Sequence, residues 1–264
     1  MSDSRRPSAF ELPISRREAL KRTTFGAMAL AAGGCLSGID PNADTGTGRL
    51  AARVAEPTTS TAPGIYPLGL ESGRDGLLYV PASYNPDTPA PFALLLHGAG
   101  GDSSELVTPM RPLVDDTGLV LMAPDSRAGT WDAISGSFSY DVAFIDRALT
   151  SVFSRVRVDP ARIRIIGFSD GATYSLSLGI INGDLFSRMV AFSPGFVVSR
   201  TATGKPKAFI THGTSDTVLP IDQTSRVIVP ALRNAGYDVE YHEFDGGHAV
   251  PPDLLPQAVT WASA

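Results

Sequence analysis

Three side chains far apart in this sequence carry the types and order needed for nucleophilic chemistry. Gly167-Phe168-Ser169-Asp170-Gly171 sets a hydroxyl between two glycines. A serine hydroxyl is a weak nucleophile until a base takes its proton, and the base needs an acid to orient it. The apolar run Arg162-Ile163-Arg164-Ile165-Ile166 leads into this pentapeptide and the helix-compatible Ala172-Thr173-Tyr174-Ser175-Leu176-Ser177-Leu178 leads out. The pattern predicts a strand, a sharp turn and a helix, with Ser169 presented on the corner. His212, His242 and His248 follow. His248 ends Phe244-Asp245-Gly246-Gly247-His248, a glycine loop after the last strand, and is assigned as the base. His242 alternates outward along its strand, and His212 precedes Gly213, where an imidazole is expected to steady a turn. Asp216, in the loop from His212 to Pro220, is assigned as the acid. Its rivals are Asp222, expected to cap the next helix, and Asp245, three residues before the base. Ser169, Asp216 and His248 then stand in the chain order serine, acid, histidine.

Acyl transfer also needs two N–H donors for the developing oxyanion. The amide of Asp170, directly after the nucleophile, is one. The amide of Ala99, in His97-Gly98-Ala99-Gly100-Gly101, is assigned as the other, with His97 expected to pin that loop. Trp131, Phe196, Val218 and Leu219 are the candidate apolar lining of the substrate site. Trp131 follows a strand's carboxyl end, where ligands bind in open α/β sheets.

These residues require a frame of strands. The chain has 264 residues, 43% hydrophobic and 19% charged, enough for one large α/β domain. A net charge of −5 argues against a nucleic-acid partner, and a single cysteine excludes an intramolecular disulfide. Continuous apolar runs at Phe92–Leu96, Leu119–Ala123, Ile163–Ile166, Met189–Phe192 and Ala208–Thr211 read as strands buried on both faces of a parallel sheet. Leu77–Val80 is an early strand, and Val239–Phe244 alternates as an edge strand does. Between them Val142, Ile145, Leu149 and Val152 share a helical face, with Asp141 as its expected N-cap. Asp102 and Glu105 suggest a capping box for a helix that Pro109 and Pro112 are expected to interrupt. A closing helix is expected from Asp253. Strand–helix alternation of this kind gives a doubly wound, single-domain α/β sandwich with a mostly parallel sheet. The stretch from Ser193 to Lys205 is too short for a lid or cap domain, so the site is expected to be open.

The N-terminus reads differently. Residues 1–34 carry Arg16-Arg17 ahead of a short apolar run from Phe25 to Gly34, the pattern of a twin-arginine-type export signal. Ala32-Gly33-Gly34-Cys35 resembles a bacterial lipobox, which implies a lipid anchor on Cys35; the alternative is that Cys35 leaves with the signal. Residues 35–63 are expected to be a flexible tether and residues 64–264 the catalytic domain.

LLHGAGG, APDSR, VDPARI, GFSDGA, HGTSDTVLP and FDGGHAVPP occur in this order from Leu95 to Pro252. With them the chain resembles the phospholipase/carboxylesterase family of α/β-hydrolases. That resemblance implies the α/β-hydrolase fold and hydrolysis of small-molecule or polymeric esters without metal or organic cofactor. Asp170 departs from thioesterase relatives, which commonly carry glutamine there. With the signal, the expected protein is a monomeric serine esterase, secreted or anchored in a bacterial envelope. The same triad would also serve an acyltransferase, a thioesterase or a peptidase, and a non-catalytic lipid-anchored binding protein is the remaining class.

Overall fold

The computed structural model describes residues 46–198 and 200–264; the proposed export signal and Cys35 lie outside the described residues. One eight-stranded sheet runs through the domain in the order β1-β2-β4-β3-β5-β6-β7-β8. Its strands are β1 (Gly64–Pro67), β2 (Gly76–Val80), β3 (Ala90–Leu96), β4 (Val120–Pro124), β5 (Val158–Phe168), β6 (Arg188–Phe192), β7 (Lys207–Gly213) and β8 (Val239–Phe244). β1 and β2 are antiparallel to their neighbours, and from β4 to β8 every pairing is parallel. The apolar runs become the central strands because every residue of β3 and β4 is buried, with helices on both faces.

Alternation along those strands divides the core in two. On one face Leu94, Leu96, Ile163, Ile165, Ala191 and Ile210 pack beneath helices α3 (Tyr140–Phe153), α4 (Asp170–Ile181) and α5 (Ser225–Asn234). On the other, Ala93, Leu95, Leu121, Ile166, Val190 and Phe209 pack beneath α1 (Ser104–Val114) and α6 (Leu255–Ser263). A single helical turn, α2 (Asp132–Ser135), lies in the loop after β4. β6 and β7 are joined by residues 193–206, which contain no helix among the described residues.

Several local expectations give way to packing. Pro109 and Pro112 do not interrupt α1. An internal proline costs about 3 kcal/mol, and α1 offsets this by burying Leu106, Val107, Met110 and Val114 against the sheet. Asp102 and Glu105 do not form a capping box: Asp102 accepts from the Ser104 amide and hydroxyl, while Glu105 turns back to the loop after β3. Asp141 lies inside the first turn of α3 and is buried. Asp222 caps no helix but sits in a 3-10 turn, Ile221–Gln223, paired to Arg226. The closing helix begins at Leu255 rather than Asp253.

The boundary drawn at residue 64 also moves. Leu50 is only 2% exposed and lies in the same core as Ala52, α3 and α4. The Leu50 amide donates to Asn182 Oδ1 (2.9 Å), and Asn182 Nδ2 donates back to the Gly48 carbonyl (2.9 Å). Arg49 forks onto Asp184 with both contacts at 2.8 Å. Residues 48–52 are therefore a strap belonging to the domain, not a tether. The polar, aperiodic composition hid a segment whose anchoring is made chiefly by backbone groups. At the opposite end of the chain Arg164, buried in β5, donates to the Ala262 carbonyl (2.6 Å), and Arg188 donates to that of Trp261. The two guanidiniums satisfy the last carbonyls of α6 and hold it on the sheet.

Candidate active site

β3, β5, β7 and β8 all end on one edge of the parallel sheet, and the functional side chains leave from those ends. Ser169 is the single residue between β5 and α4, with φ 56° and ψ −119°. Non-glycine residues seldom adopt positive φ. It is held there because the Ser169 amide donates to the Phe192 carbonyl of β6 (2.9 Å) and its own carbonyl accepts from Thr173 (3.0 Å). The flanking glycines allow the close approaches the corner demands. A β-carbon at Gly167 would lie 2.1 Å from the Gly171 carbonyl oxygen, and one at Gly171 would lie 2.0 Å from that of Leu96. Any side chain at either position would push α4 off the sheet.

The other two members arrive through β7 and β8. Gly213 is registered opposite Phe244, and a β-carbon on it would lie 2.3 Å from the Gly247 carbonyl oxygen. The amides of Thr214 and Ser215 donate to the carbonyls of Phe244 and Gly246, both at 2.9 Å. This lacing brings the Asp216 turn against the His248 loop. His248 Nδ1 then lies 2.7 Å from Asp216 Oδ2, and His248 Nε2 lies 2.8 Å from Ser169 Oγ. The Asp216 side chain has no exposed surface. Its Oδ1 accepts the amides of Val218 (2.9 Å) and Leu219 (2.8 Å), so its charge is answered by backbone dipoles. With the carboxylate as acceptor, His248 carries its proton on Nδ1 and accepts the serine hydroxyl at Nε2. Asp245 is exposed, and His248 Nδ1 bonds Asp216 instead.

The loop after β3 stands beside the serine. A β-carbon at Gly98 would lie 3.4 Å from Ser169 Cβ. Gly98 donates to Glu105 Oε2 (2.5 Å), Gly100 to the Gly129 carbonyl (2.6 Å) and Gly101 to that of Gly98 (3.1 Å). Among the described residues the amides of Ala99 and Asp170 have no protein acceptor, and Ala99 is exposed. His97 does pin this loop: Nδ1 donates to the Gly98 carbonyl (2.7 Å) and Nε2 accepts the Ser126 amide (2.9 Å). Burial pushes its pKa down and keeps the ring neutral. Arg74 adds a second tie, donating to the carbonyls of Gly101 (2.8 Å) and Ser126 (2.5 Å).

The four proposed lining residues separate. Phe196 and Leu219 are half-buried and Val218 is 39% exposed. Leu219 packs against Gly195, where a β-carbon would lie 3.4 Å from a Leu219 methyl. Trp131 is corrected: it is 0% exposed and reaches no cleft. Its ring stacks on Tyr174 with centroids 5.2 Å apart, and its Nε1 donates to the His97 carbonyl (2.8 Å). It supports the loop from beneath, because the chain after β4 turns inward before α2.

Two features had no reading as site residues in the sequence. Asp141, buried, and Asp132, half-buried, form a carboxyl pair under the post-β4 loop, accepting backbone amides from each other and from Arg127 and Ser139. Tyr174 donates to Asp132 (2.9 Å). Burial first, and then the Asp132 charge, pushes Asp141 up to about 6. Above this pair Thr130 donates to the Asp170 carboxylate (2.6 Å). Spacing alone gave no signal for either contact, since each joins segments 9 to 42 residues apart.

The family profile described as phospholipase/carboxylesterase matches residues 120–263. Feruloyl esterase C of Emericella nidulans is 26% identical over 228 residues, covering 72% of this chain and 83% of that one. Among solved structures, the fluorophosphonate-binding serine hydrolase FphF of Staphylococcus aureus superposes with a TM-score of 0.61 at 15% identity, covering 77% of this chain and all of its own. A Bacillus cereus carboxylesterase gives a TM-score of 0.55 at 20% identity, covering 73% and 94%. The sheet order and helix layers seen here are those of the α/β-hydrolase fold that these hydrolases share. The chain belongs to the phospholipase/carboxylesterase family and is a serine hydrolase of carboxylic esters.

Proposed function

We propose that hydrolysis proceeds through an acyl-enzyme on Ser169. His248 takes the hydroxyl proton as Oγ attacks the ester carbonyl, and the Ala99 and Asp170 amides receive the oxyanion. His248 then gives that proton to the leaving alcohol. In the second half it activates water, and collapse of the second tetrahedral intermediate returns Ser169 and frees the acid. Asp216 holds the imidazole tautomer throughout and stabilises the imidazolium. The observation that carries this reading is the unbroken series Ser169 Oγ, His248 Nε2–Nδ1, Asp216 Oδ2, with contacts of 2.8 and 2.7 Å. Ser169→Ala is expected to lower turnover of p-nitrophenyl acetate by at least about 10⁴-fold and to abolish fluorophosphonate labelling. Turnover and labelling undiminished in that variant refute the assignment.

The substrate class we propose is a compact ester with an apolar or aromatic acyl group, set against Phe196, Val218 and Leu219. The kinship to feruloyl esterase C supports an aromatic acyl group, and the short β6–β7 connection, with no helix over the cleft among the described residues, supports an open site. Methyl ferulate and p-nitrophenyl butyrate are expected to outrun p-nitrophenyl palmitate in kcat/KM, and the reverse order overturns the reading. Export by residues 1–34 and anchoring through Cys35 complete the proposal, supported by the sequence pattern alone. Mass spectrometry of the mature N-terminus, with Cys35→Ser as control, tests it: an unmodified N-terminus beyond Cys35 excludes the anchor.

A further inference from the structure

His212 ends β7 wholly buried, yet its imidazole meets three polar groups. Nδ1 lies 2.6 Å from the Ser225 hydroxyl, at the start of α5. Nε2 lies 2.8 Å from the Leu219 carbonyl and 3.1 Å from Asp216 Oδ2. A carbonyl and a carboxylate only accept, so the ring's N–H must sit on Nε2, shared between them. Ser225 then donates to Nδ1, which fixes this tautomer. Burial pushes the His212 pKa down, so the ring is held neutral. The remaining titratable groups facing it are His248, beyond Asp216, and Glu243 on β8, which is registered opposite His212 and engaged by Arg226.

The oxygen that His212 reaches is the one that receives His248 Nδ1–H. We propose that His212 is a positioning residue for the reaction: its Nε2–H fixes the Asp216 carboxylate toward His248 and draws off part of its charge. This rests on the assignment of Ser169, His248 and Asp216 above. Oδ1 is held by two backbone amides and Oδ2 by His248 Nδ1, with His212 Nε2 3.1 Å away from it. When His248 becomes imidazolium, the proton stays on the ring and the carboxylate balances its charge. Without the His212 contact, Oδ2 has one anchor fewer and leaves more of its charge facing His248. Turnover then falls and the acid limb of the pH–rate profile moves upward.

His212→Asn and His212→Gln separate this role from a structural one. Both put a polar amide in the pocket, but only glutamine reaches the position of Nε2 while asparagine reaches that of Nδ1. Active sites are titrated with a fluorophosphonate, and kcat and KM for p-nitrophenyl acetate are measured from pH 5 to 9. Per titrated site, His212→Asn is expected to lose on the order of 10–100-fold in kcat, the worth of one hydrogen bond to a charged group. KM should stay within about twofold, because no substrate contact is lost, and the acid limb should rise by roughly half a pH unit. His212→Gln should recover most of both. Equal loss in the two variants with an unmoved acid limb, or no loss in either, overturns the proposal. Where neither variant folds, Ser225→Ala reads the same two quantities by removing the hydroxyl that orients the ring, and an unchanged rate and limb there refutes it. Ser169→Ala separates the layers: if that variant still turns over, the triad assignment falls and this proposal with it. If it is inactive while the His212 variants match the parent, only this proposal falls.

Discussion

Replacing Ser169 by glycine should make the protein more stable than replacing it by alanine, although both variants are expected to be inactive. Both substitutions remove the hydroxyl and its 2.8 Å contact with His248. They differ only in whether a β-carbon remains at φ 56°, ψ −119°. A non-glycine residue in such a region stores about 1–3 kcal/mol. Glycine relieves it but adds about 0.4–1 kcal/mol of freedom to the unfolded chain. The balance favours glycine by about 1.3 kcal/mol at mid-range and by up to about 2.6 kcal/mol. In a domain of this size each kcal/mol moves the melting temperature by about 2–4 °C, so Ser169→Gly should melt about 3–5 °C above Ser169→Ala. Calorimetry and urea unfolding of the two purified variants measure the difference directly. A Ser169→Gly melting point at or below that of Ser169→Ala refutes the claim that this corner is strained and that the fold tolerates the strain to present the hydroxyl.

Other perturbations probe separate parts of the fold. Asp141 is pushed up to about 6 by burial and by Asp132. Its neutral form is therefore favoured in the folded state, so its stability is fully present below its unfolded value near 4. About 3 kcal/mol should be lost as pH rises through 6. Urea unfolding between pH 4 and 7 should show this slope in the parent and flatten it in Asp141→Asn; an equal slope in both contradicts the assignment. Gly171→Ala places a β-carbon 2.0 Å from the Leu96 carbonyl oxygen, against backbone that has no room to yield. It should cost more than about 4 kcal/mol, seen as insoluble expression or loss of the cooperative thermal transition by circular dichroism. Leu50→Ala should cost about 2–5 kcal/mol, whereas Ile65→Ala, at a site 44% exposed, should change stability by under about 0.5 kcal/mol. Matching melting temperatures for these two would return residues 48–52 to the status of a tether.

The central sheet, and the three side chains that meet at its edge, were readable from residue pattern. Phe92–Leu96 and Ile163–Ile166 are apolar at every position or nearly so, and such runs are stable only when covered on both faces. Glycines at 167 and 171 around a serine announce a corner, because nothing larger survives backbone contacts near 2 Å. That Ser169, Asp216 and His248 come together was legible for the same reason: each sits just past an apolar run, and local pattern marks where runs end. What tertiary structure alone decided is whatever depends on the third dimension between such segments. Trp131 lies after a strand end, as a ligand-binding residue would, yet the loop turns it inward to stack on Tyr174. Leu50 enters the core through hydrogen bonds to Asn182 and Gly48–Asn182 contacts spanning more than a hundred residues, invisible to any periodicity. Pro109 should have broken α1, but four buried apolar side chains outweigh its lost hydrogen bond. His212 read as a turn residue, and only the fold shows its Nε2 3.1 Å from the Asp216 oxygen that meets His248. Pattern specifies which face of a segment is buried; which distant polar atom meets it there is fixed by packing, where an unpaired buried donor costs more than the chain will tolerate.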